Sequence, residues 1–193
     1  LEDLENQTIA DKLEIVVVNS GSQQNEEAIV KEFQQRYNNI KYIKTEERET
    51  IYKAWNMAIK VSSGKYISTA NTDDRHTKDA FERMTKALEE NPDKVLVYAD
   101  QMDVNEIDGQ RVVVGERING QFSRHRLVSG QCPPGSQPMW RRDVHDVFGY
   151  FDEYFAVGGD NEFWFRLTQK FDFFYLNEML GERFVDDFHH ALW

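Results

Sequence analysis

Cysteine is nearly absent: the 193-residue chain holds one, Cys132. An internal disulfide is excluded, and a reducing compartment suits the chain, so a cytoplasmic location is expected. Basic residues are scarce, 23 against 34 acidic ones, leaving a formal charge of -11. A field of that sign argues against nucleic acid or an anionic membrane as partners engaged through bulk charge. Long apolar runs are missing as well. Stretches such as Ile15 to Val18 fall far short of the roughly 20 residues that cross a bilayer, so no integral membrane segment is expected. Leu1 to Ala10 lacks the basic and apolar regions of a secretory signal. There is no P-loop, no GxGxxG, no paired CxxC and no GxSxG, which removes several enzyme classes. What the chain does have is 40% apolar and 13% aromatic residues, enough to build a core. No internal repeat or low-complexity linker interrupts it, so one continuous domain over 1–193 is expected.

The first half alternates short apolar runs with helical stretches. Leu13 to Val18 reads as a strand ending at the turn cluster Asn19-Ser20-Gly21-Ser22. A helix is expected from about Asn25 to Tyr37, with Ala28, Ile29, Phe33 and Tyr37 inward, and a second strand over Ile40 to Lys44. Ile51 to Val61 reads as a helix with Ile51, Trp55, Ala58 and Ile59 on one side, stopped by Ser62-Ser63-Gly64. Lys65 to Ala70 is a third strand running into Asn71-Thr72-Asp73-Asp74. Thr77 to Glu90 is a helix, and Lys94 to Ala99 a fourth strand. Such alternation predicts an α/β fold with a mainly parallel sheet and right-handed crossovers. Ligands of open α/β sheets sit at the carboxyl ends of strands, where both polar clusters lie.

The second half is less regular. Met102 to Asn119 reads as a polar hairpin or meander, Gly130 to Gly135 as a proline loop, and Asp143 to Phe151 as a short helix entering a turn. Gly158-Gly159-Asp160 precedes a helix with Phe163, Trp164 and Leu167 inward. Leu1 to Thr8 resembles the tail of an amphipathic helix, with Leu1, Leu4 and Ile9 facing inward. A helix is an unusual opening for an α/β sheet, so an N-terminal strand and turn are expected to be absent from this sequence.

Adjacent carboxylates at Asp73 and Asp74, with Asn71 beside them, offer hard oxygen ligands to Mg²⁺ or Mn²⁺; the alternative makes Asp74 a helix N-cap. Asp160, behind two glycines, is either a general base at a pocket mouth or an ordinary N-cap. Arg111 to Arg142 holds six arginines and one acid, Glu116. Arg141 and Arg142, next to Trp140, fit a phosphate or carboxylate, or else pair with surface acids. His189 and His190 follow Asp186-Asp187 and either complete a metal site or stand in solvent. Cys132 has no base nearby in sequence, so an inert thiol is expected. Tyr52, Trp55 and Tyr66 read as core or pocket wall.

Read in order, VVVNSGS (Val16 to Ser22), IYKAWNMAI (Ile51 to Ile59) with SGKYI, NTDD (Asn71 to Asp74), GSQPMWRR (Gly135 to Arg142), GYFDE (Gly149 to Glu153) and GDNEFWFRL (Gly159 to Leu167) resemble a family 2 glycosyltransferase of the GT-A fold. The likeness runs along nearly the whole chain. Two departures stand out: Asn19 where the family usually has aspartate, and Gly159 where it commonly has glutamate.

The resemblance implies a Rossmann-type sheet flanked by helices, lacking its first strand. It also implies an inverting, metal-assisted transfer of sugar from a nucleotide-diphosphate donor, most readily a UDP-sugar, to a glycan or lipid-linked acceptor. In that picture 1–100 is the donor half and 101–193 the acceptor half. Asp160 takes the acceptor's proton. Asn19 faces the base, and Gly21, Tyr52, Asn56 and Asn71 line the donor. Asp73 contacts ribose or metal, and Asp74, with Asp73 and His189, holds Mn²⁺ or Mg²⁺. Trp140, Arg141 and Arg142 face the acceptor or the diphosphate. A lipid-linked acceptor would bring the chain to the inner face of the membrane. A non-catalytic nucleotide-sugar or carbohydrate binding module is the alternative, and a metal-dependent phosphate-ester hydrolase the third reading.

Overall fold

The chain opens with one helical turn, α1 (Glu2–Glu5), and a 3₁₀ turn at Ala10–Lys12. Leu4 is buried, and Leu1 and Ile9 pack partly buried beside it, as the amphipathic spacing of this segment anticipates. The computed structural model describes residues 1–185. The β-branched run then extends as β1 (Ile15–Ser20), crosses through α2 (Glu26–Arg36) and returns as β2 (Ile40–Thr45). The two strands pair in parallel, Ile15 opposite Ile40 through Ser20 opposite Thr45. In α2 the inward face is Val30 and Phe33, whereas Ile29 is exposed. Two adjacent β-branched residues make the helical phase ambiguous in sequence, and contact with the neighbouring strands decides it.

Helix α3 (Ile51–Val61) starts where Thr50 accepts a hydrogen bond from the Lys53 N–H at 3.2 Å, a side-chain N-cap. Its buried row is Tyr52, Asn56 and Ile59, while Ile51 is exposed. A polar residue in the buried row is what displaced the apolar period expected from sequence. β3 (Tyr66–Ser68), β4 (Arg75–His76), α4 (Ala80–Glu90) and β5 (Leu96–Ile107) follow. Strand β5 is twice the length anticipated. It turns at Asp108-Gly109, both with positive φ (52° and 74°), into β6 (Gln110–Arg117), so the polar hairpin is present. The second half adds α5 (Arg124–Val128), β7 (Met139–Arg141), α6 (Val144–Phe148), α7 (Gly159–Leu167) and β8 (Phe174–Phe184).

Strands β3, β7, β5, β8 and β4 lie side by side in that order, with β6 hydrogen-bonded to β5. Parallel order, expected through most of the sheet, is confined to β1–β2 and β5–β8; the other pairings are antiparallel. A two-residue turn can join β5 and β6 only as antiparallel neighbours, and β7 re-enters between β3 and β5 from the proline loop. β8 was not anticipated. Asn177, Glu178, Gly181 and Glu182 break its apolar pattern, and it bulges against β5 around Asp100.

Successive residues of β5 serve two cores. Val97 and Ala99 join Met84, Leu88, Val30 and Phe33 on one face. Leu96 and Tyr98 join Trp140, Phe163, Trp164 and Leu167 on the other. Period-two alternation in a strand covered on both faces accounts for its unbroken apolar reading. The result is a mixed α/β fold with helices on both faces.

Candidate active site

Beyond β3 the chain must turn back to enter β4, and the Asn71-Thr72-Asp73-Asp74 cluster makes that turn. Asp74 is buried. Its Oδ1 accepts the Phe184 N–H at 2.9 Å and its Oδ2 accepts the Asn71 amide at 2.9 Å. It does not cap a helix, because β4 intervenes and α4 takes its N-cap from Asp79. Asp73 is exposed, and its carbonyl accepts from Arg111, whose guanidinium also pairs with Glu182 at 3.2 Å. One carboxylate is thus fastened to β8 and its neighbour stands in solvent beside a cation.

Asp160 lies in the first turn of α7, behind a left-handed N-cap at Gly158 (φ 75°). It is therefore not the N-cap. Its Oδ1 accepts the Tyr52 hydroxyl at 3.1 Å and its Oδ2 the Cys132 thiol at 3.7 Å. Burial, reinforced by the Asp160 carboxylate, pushes the Cys132 thiol up to about 12, so the inert thiol expected from sequence follows from its surroundings. The Tyr52 hydroxyl is raised by the same two causes in the same order.

The proline loop links the surroundings of the two carboxylate sites. The Gly135 N–H donates to the Cys132 carbonyl at 3.1 Å, closing a turn over Pro133-Pro134. Such a turn holds its end residues within about 7 Å. The next residues then reach the other site. The Ser136 carbonyl accepts the Thr69 hydroxyl at 2.8 Å, and the Gln137 amide donates to the Arg75 carbonyl at 3.0 Å. Thr69 and Arg75 bracket the acidic turn. A Cβ at Gly181 would lie 1.7 Å from Gln137 Oε1, so glycine there makes room for that amide.

The β1 turn approaches from a third side. Asn19 is buried, donating to the Tyr42 hydroxyl at 3.0 Å and accepting the Ser22 N–H at 2.9 Å. Its amide shapes the turn, which leaves one donor and one lone pair uncommitted. Gly21 has φ +61°, and a Cβ there would sit 2.7 Å from the Glu47 carbonyl carbon, so only glycine fits. Ser20 accepts the Glu49 N–H at 2.6 Å, which ties this turn to the start of α3 and so to Tyr52.

Other expected residues stand elsewhere. Asn56 is fully enclosed, donating to the Phe151 carbonyl at 2.8 Å and to Glu153 at 3.0 Å while accepting the Phe151 N–H. It joins α3 to the 151–153 segment and has no free amide for a donor. Trp140 is buried and donates to His145 Nε2 at 3.0 Å. Arg141 lies opposite Tyr66, at the amino end of β3, and donates to the Lys94 and Leu88 carbonyls. Arg142 donates to the Gly64 carbonyl at 3.0 Å. Because β7 runs antiparallel to β3, Arg141 and Arg142 lie toward the amino end of β3, away from the acidic turn, while Trp140 packs against Trp164 of α7 with ring centroids 5.2 Å apart. His189 lies outside the described residues. What the sequence did not offer is the Cys132–Asp160 contact; the Pro-Pro-Gly turn signal was visible, but not what it would bring together.

Among the described residues no three Asp, Glu, His or Cys side chains are gathered as a ready metal cage. Asp73, exposed and with no side-chain partner among the described residues, and Asp74, with two of its lone pairs used by described residues, still fit Mg²⁺ or Mn²⁺ bound through one or two carboxylates, with substrate phosphates and water completing the shell.

The minor teichoic acid biosynthesis protein GgaB of Bacillus subtilis is 28% identical over 137 residues, 69% of this chain and 15% of that protein. The uncharacterized glycosyltransferase YwdF of the same organism is 30% identical over 135 residues, 68% of this chain and 49% of its own length. The chain therefore spans about half, or less, of the curated relatives it matches. Among solved structures, S. aureus TarS 1–349 in complex with UDP superposes with a TM-score of 0.75 at 17% identity, covering 98% of this chain and 57% of that one. Mannosyltransferase PcManGT from Pyrobaculum calidifontis, in complex with GDP-Man and Mn2+, gives a TM-score of 0.71 at 15% identity, covering 96% of this chain and 52% of that one. These likenesses show a shared fold. The model of Glycosyl transferase family 2 matches residues 1–148, and on that match the chain belongs to glycosyl transferase family 2.

Proposed function

We propose that this chain transfers a sugar from a nucleotide-diphosphate donor to an acceptor hydroxyl, with inversion at the anomeric carbon. The observation that carries the reading is the Cys132–Gly135 turn, which touches Asp160 at one end and meets the strand ends flanking Asp73 and Asp74 just beyond the other. A base and an anion-handling centre on one loop are what an in-line displacement needs. Asp160 accepts the acceptor's proton as its oxygen bonds to the anomeric carbon. The bond from that carbon to the diphosphate breaks, and the nucleoside diphosphate departs with the electron pair. A divalent ion held by Asp73 and Asp74 would offset the charge growing on that leaving group. Arg111, beside Asp73, adds positive charge on the same side.

Asn19, Gly21, Tyr52 and Asn71 form the donor side in this reading. A UDP-sugar is the favoured donor; TarS, of the same fold, has been solved with UDP and with UDP-GlcNAc. The acceptor is a glycan or lipid-linked sugar, handled by residues of 101–193, and 1–193 works as one catalytic domain. No helix among the described residues is long and apolar enough to cross a membrane. A cytoplasmic location is proposed, with attachment to the inner membrane face when the acceptor is lipid-linked.

The test is a thermal-shift titration with UDP and GDP, with and without Mn²⁺. A ligand at 100 times its Kd should stabilise the fold by about 2.7 kcal/mol. A Mn²⁺-dependent shift for one nucleotide that disappears in Asp73→Asn is expected. An undiminished shift in that variant removes the metal assignment. The commitment of Asn19 to its own turn favours a second reading, a non-catalytic nucleotide-sugar binding module. Nucleotide binding with no release of UDP from UDP-GlcNAc, in the presence of acceptor glycans, would support it.

A further inference from the structure

Asp160 is held by nothing in its own helix. The N-cap of α7 is a glycine, and no side chain caps the helix. Among the described residues, both contacts to its carboxylate come from distant parts of the chain. Tyr52 reaches it from α3, 108 residues earlier, and Cys132 from the proline loop, 28 residues earlier. Each donor is itself well seated. The Tyr52 ring lies against Gly159, where a Cβ would come within 2.7 Å of it, and packs edge-on to Trp55 at 5.5 Å and stacked on Phe151 at 6.0 Å. Cys132 opens the Pro-Pro turn closed by Gly135.

We propose that Tyr52 and Cys132 are a pair of positioning residues that clamp the Asp160 carboxylate, one donor on each oxygen. The inference rests on Asp160 being the base of the proposed transfer. A carboxylate has about four lone-pair positions, so two donors leave one on each oxygen for an incoming hydroxyl. Side-chain rotation that would swing those positions away is blocked from two elements at once. Both donors keep their protons across the neutral range, because burial raises each of them and the Asp160 charge raises them further. Arg117 is the cation that faces Cys132 and opposes this only in part. The clamp therefore always offers hydrogen to Asp160 and never competes with it as an acceptor. It is also specific in chemistry: phenylalanine would keep the Tyr52 packing and lose the donor, and serine would keep a donor at 132 where alanine would not.

The experiment uses the full chain, UDP-GlcNAc with Mn²⁺, and release of UDP with water as acceptor, measured across pH. Tyr52→Phe and Cys132→Ala should each lower kcat about tenfold, the scale of one lost hydrogen bond to a charged group. In Cys132→Ala the donor KM should stay within about twofold. Cys132→Ser should recover most of the loss. A second readout needs no turnover. Cys132 is the only cysteine, so its alkylation rate with iodoacetamide reports its titration, and Asp160→Asn should bring that titration to lower pH, raising the rate at a fixed pH of about 9. Wild-type kcat in both Tyr52→Phe and Cys132→Ala, or a thiol titration unmoved by Asp160→Asn, overturns the clamp. Full turnover in Asp160→Asn instead overturns the base assignment, and absence of turnover in every form counts against the transfer reading while the thiol titration still decides the clamp.

Discussion

Asp74 and Phe184, 110 residues apart, are joined by a 2.9 Å hydrogen bond from the Phe184 N–H to a buried carboxylate oxygen. Asp74 is thereby a structural fastener, whereas Asp73 has no such tie among the described residues. Asp74→Asn should lower stability by about 1.5–3 kcal/mol, as expected for losing charge-assisted bonds at a buried group. Asp73→Asn, at an exposed position, should stay within about 0.5 kcal/mol of wild type. Urea titration of both variants checks this, and equal losses would contradict the division.

Gly21 and Gly109 both have positive φ, 61° and 74°, but only Gly21 is also crowded by the Glu47 backbone. Gly109→Ala should cost about 1–2 kcal/mol, the price of a left-handed residue with a side chain. Gly21→Ala should cost clearly more, and it should weaken nucleotide binding because the β1 turn must move. Matched thermal melts of the two variants separate strain from crowding.

Trp140 and Arg141 were expected at the acceptor or diphosphate, and the structure buries the first and binds the second to two backbone carbonyls. Arg141→Lys loses the forked geometry of those contacts. Stability should fall by about 1 kcal/mol or more, with nucleotide affinity unchanged. Calorimetric titration of UDP checks the second half; a large loss of affinity at preserved stability would return Arg141 to the site.

Asp3 gives the fold an acid-sensitive tie. Burial alone would raise its carboxyl, but His76, whose backbone N–H donates to it at 3.0 Å and whose ring nitrogen lies 3.6 Å away, outweighs burial and pulls it down to about 2. A carboxyl lowered by folding contributes stability that is complete above its unfolded value near 4. That stability is lost as pH falls toward the folded value of about 2. The stability difference between wild type and Asp3→Asn should be level above about pH 5 and shrink between pH 4 and 2. Urea midpoints taken across that window test the sign.

Much of the first half was legible because it follows local rules. Ile51 and Val61 bound α3 at the positions expected, and the β1 and β2 runs are β-branched. Legibility failed where a buried position is polar or a strand is irregular. Asn56 sits in the inward row of α3 because Phe151 and Glu153 satisfy it, and nothing local announces that partner. β8 carries Asn177, Glu178 and Gly181 through its bulges, so its pattern reads as loop. In the site, Asp160, Asp73 and Asp74 were visible as unusual acids at element ends, but their division of labour was not.

The residues that carry chemistry and the order of the early elements are written in the chain, because turns, caps and alternation act over a few neighbours. Which acid is free and which is bound, whether an arginine meets a ligand or a carbonyl, and that a tyrosine and a cysteine converge on Asp160 were settled only by the folded sheet. Those outcomes depend on strand direction and on contacts 28 to 110 residues apart, and no local preference specifies a partner at that distance.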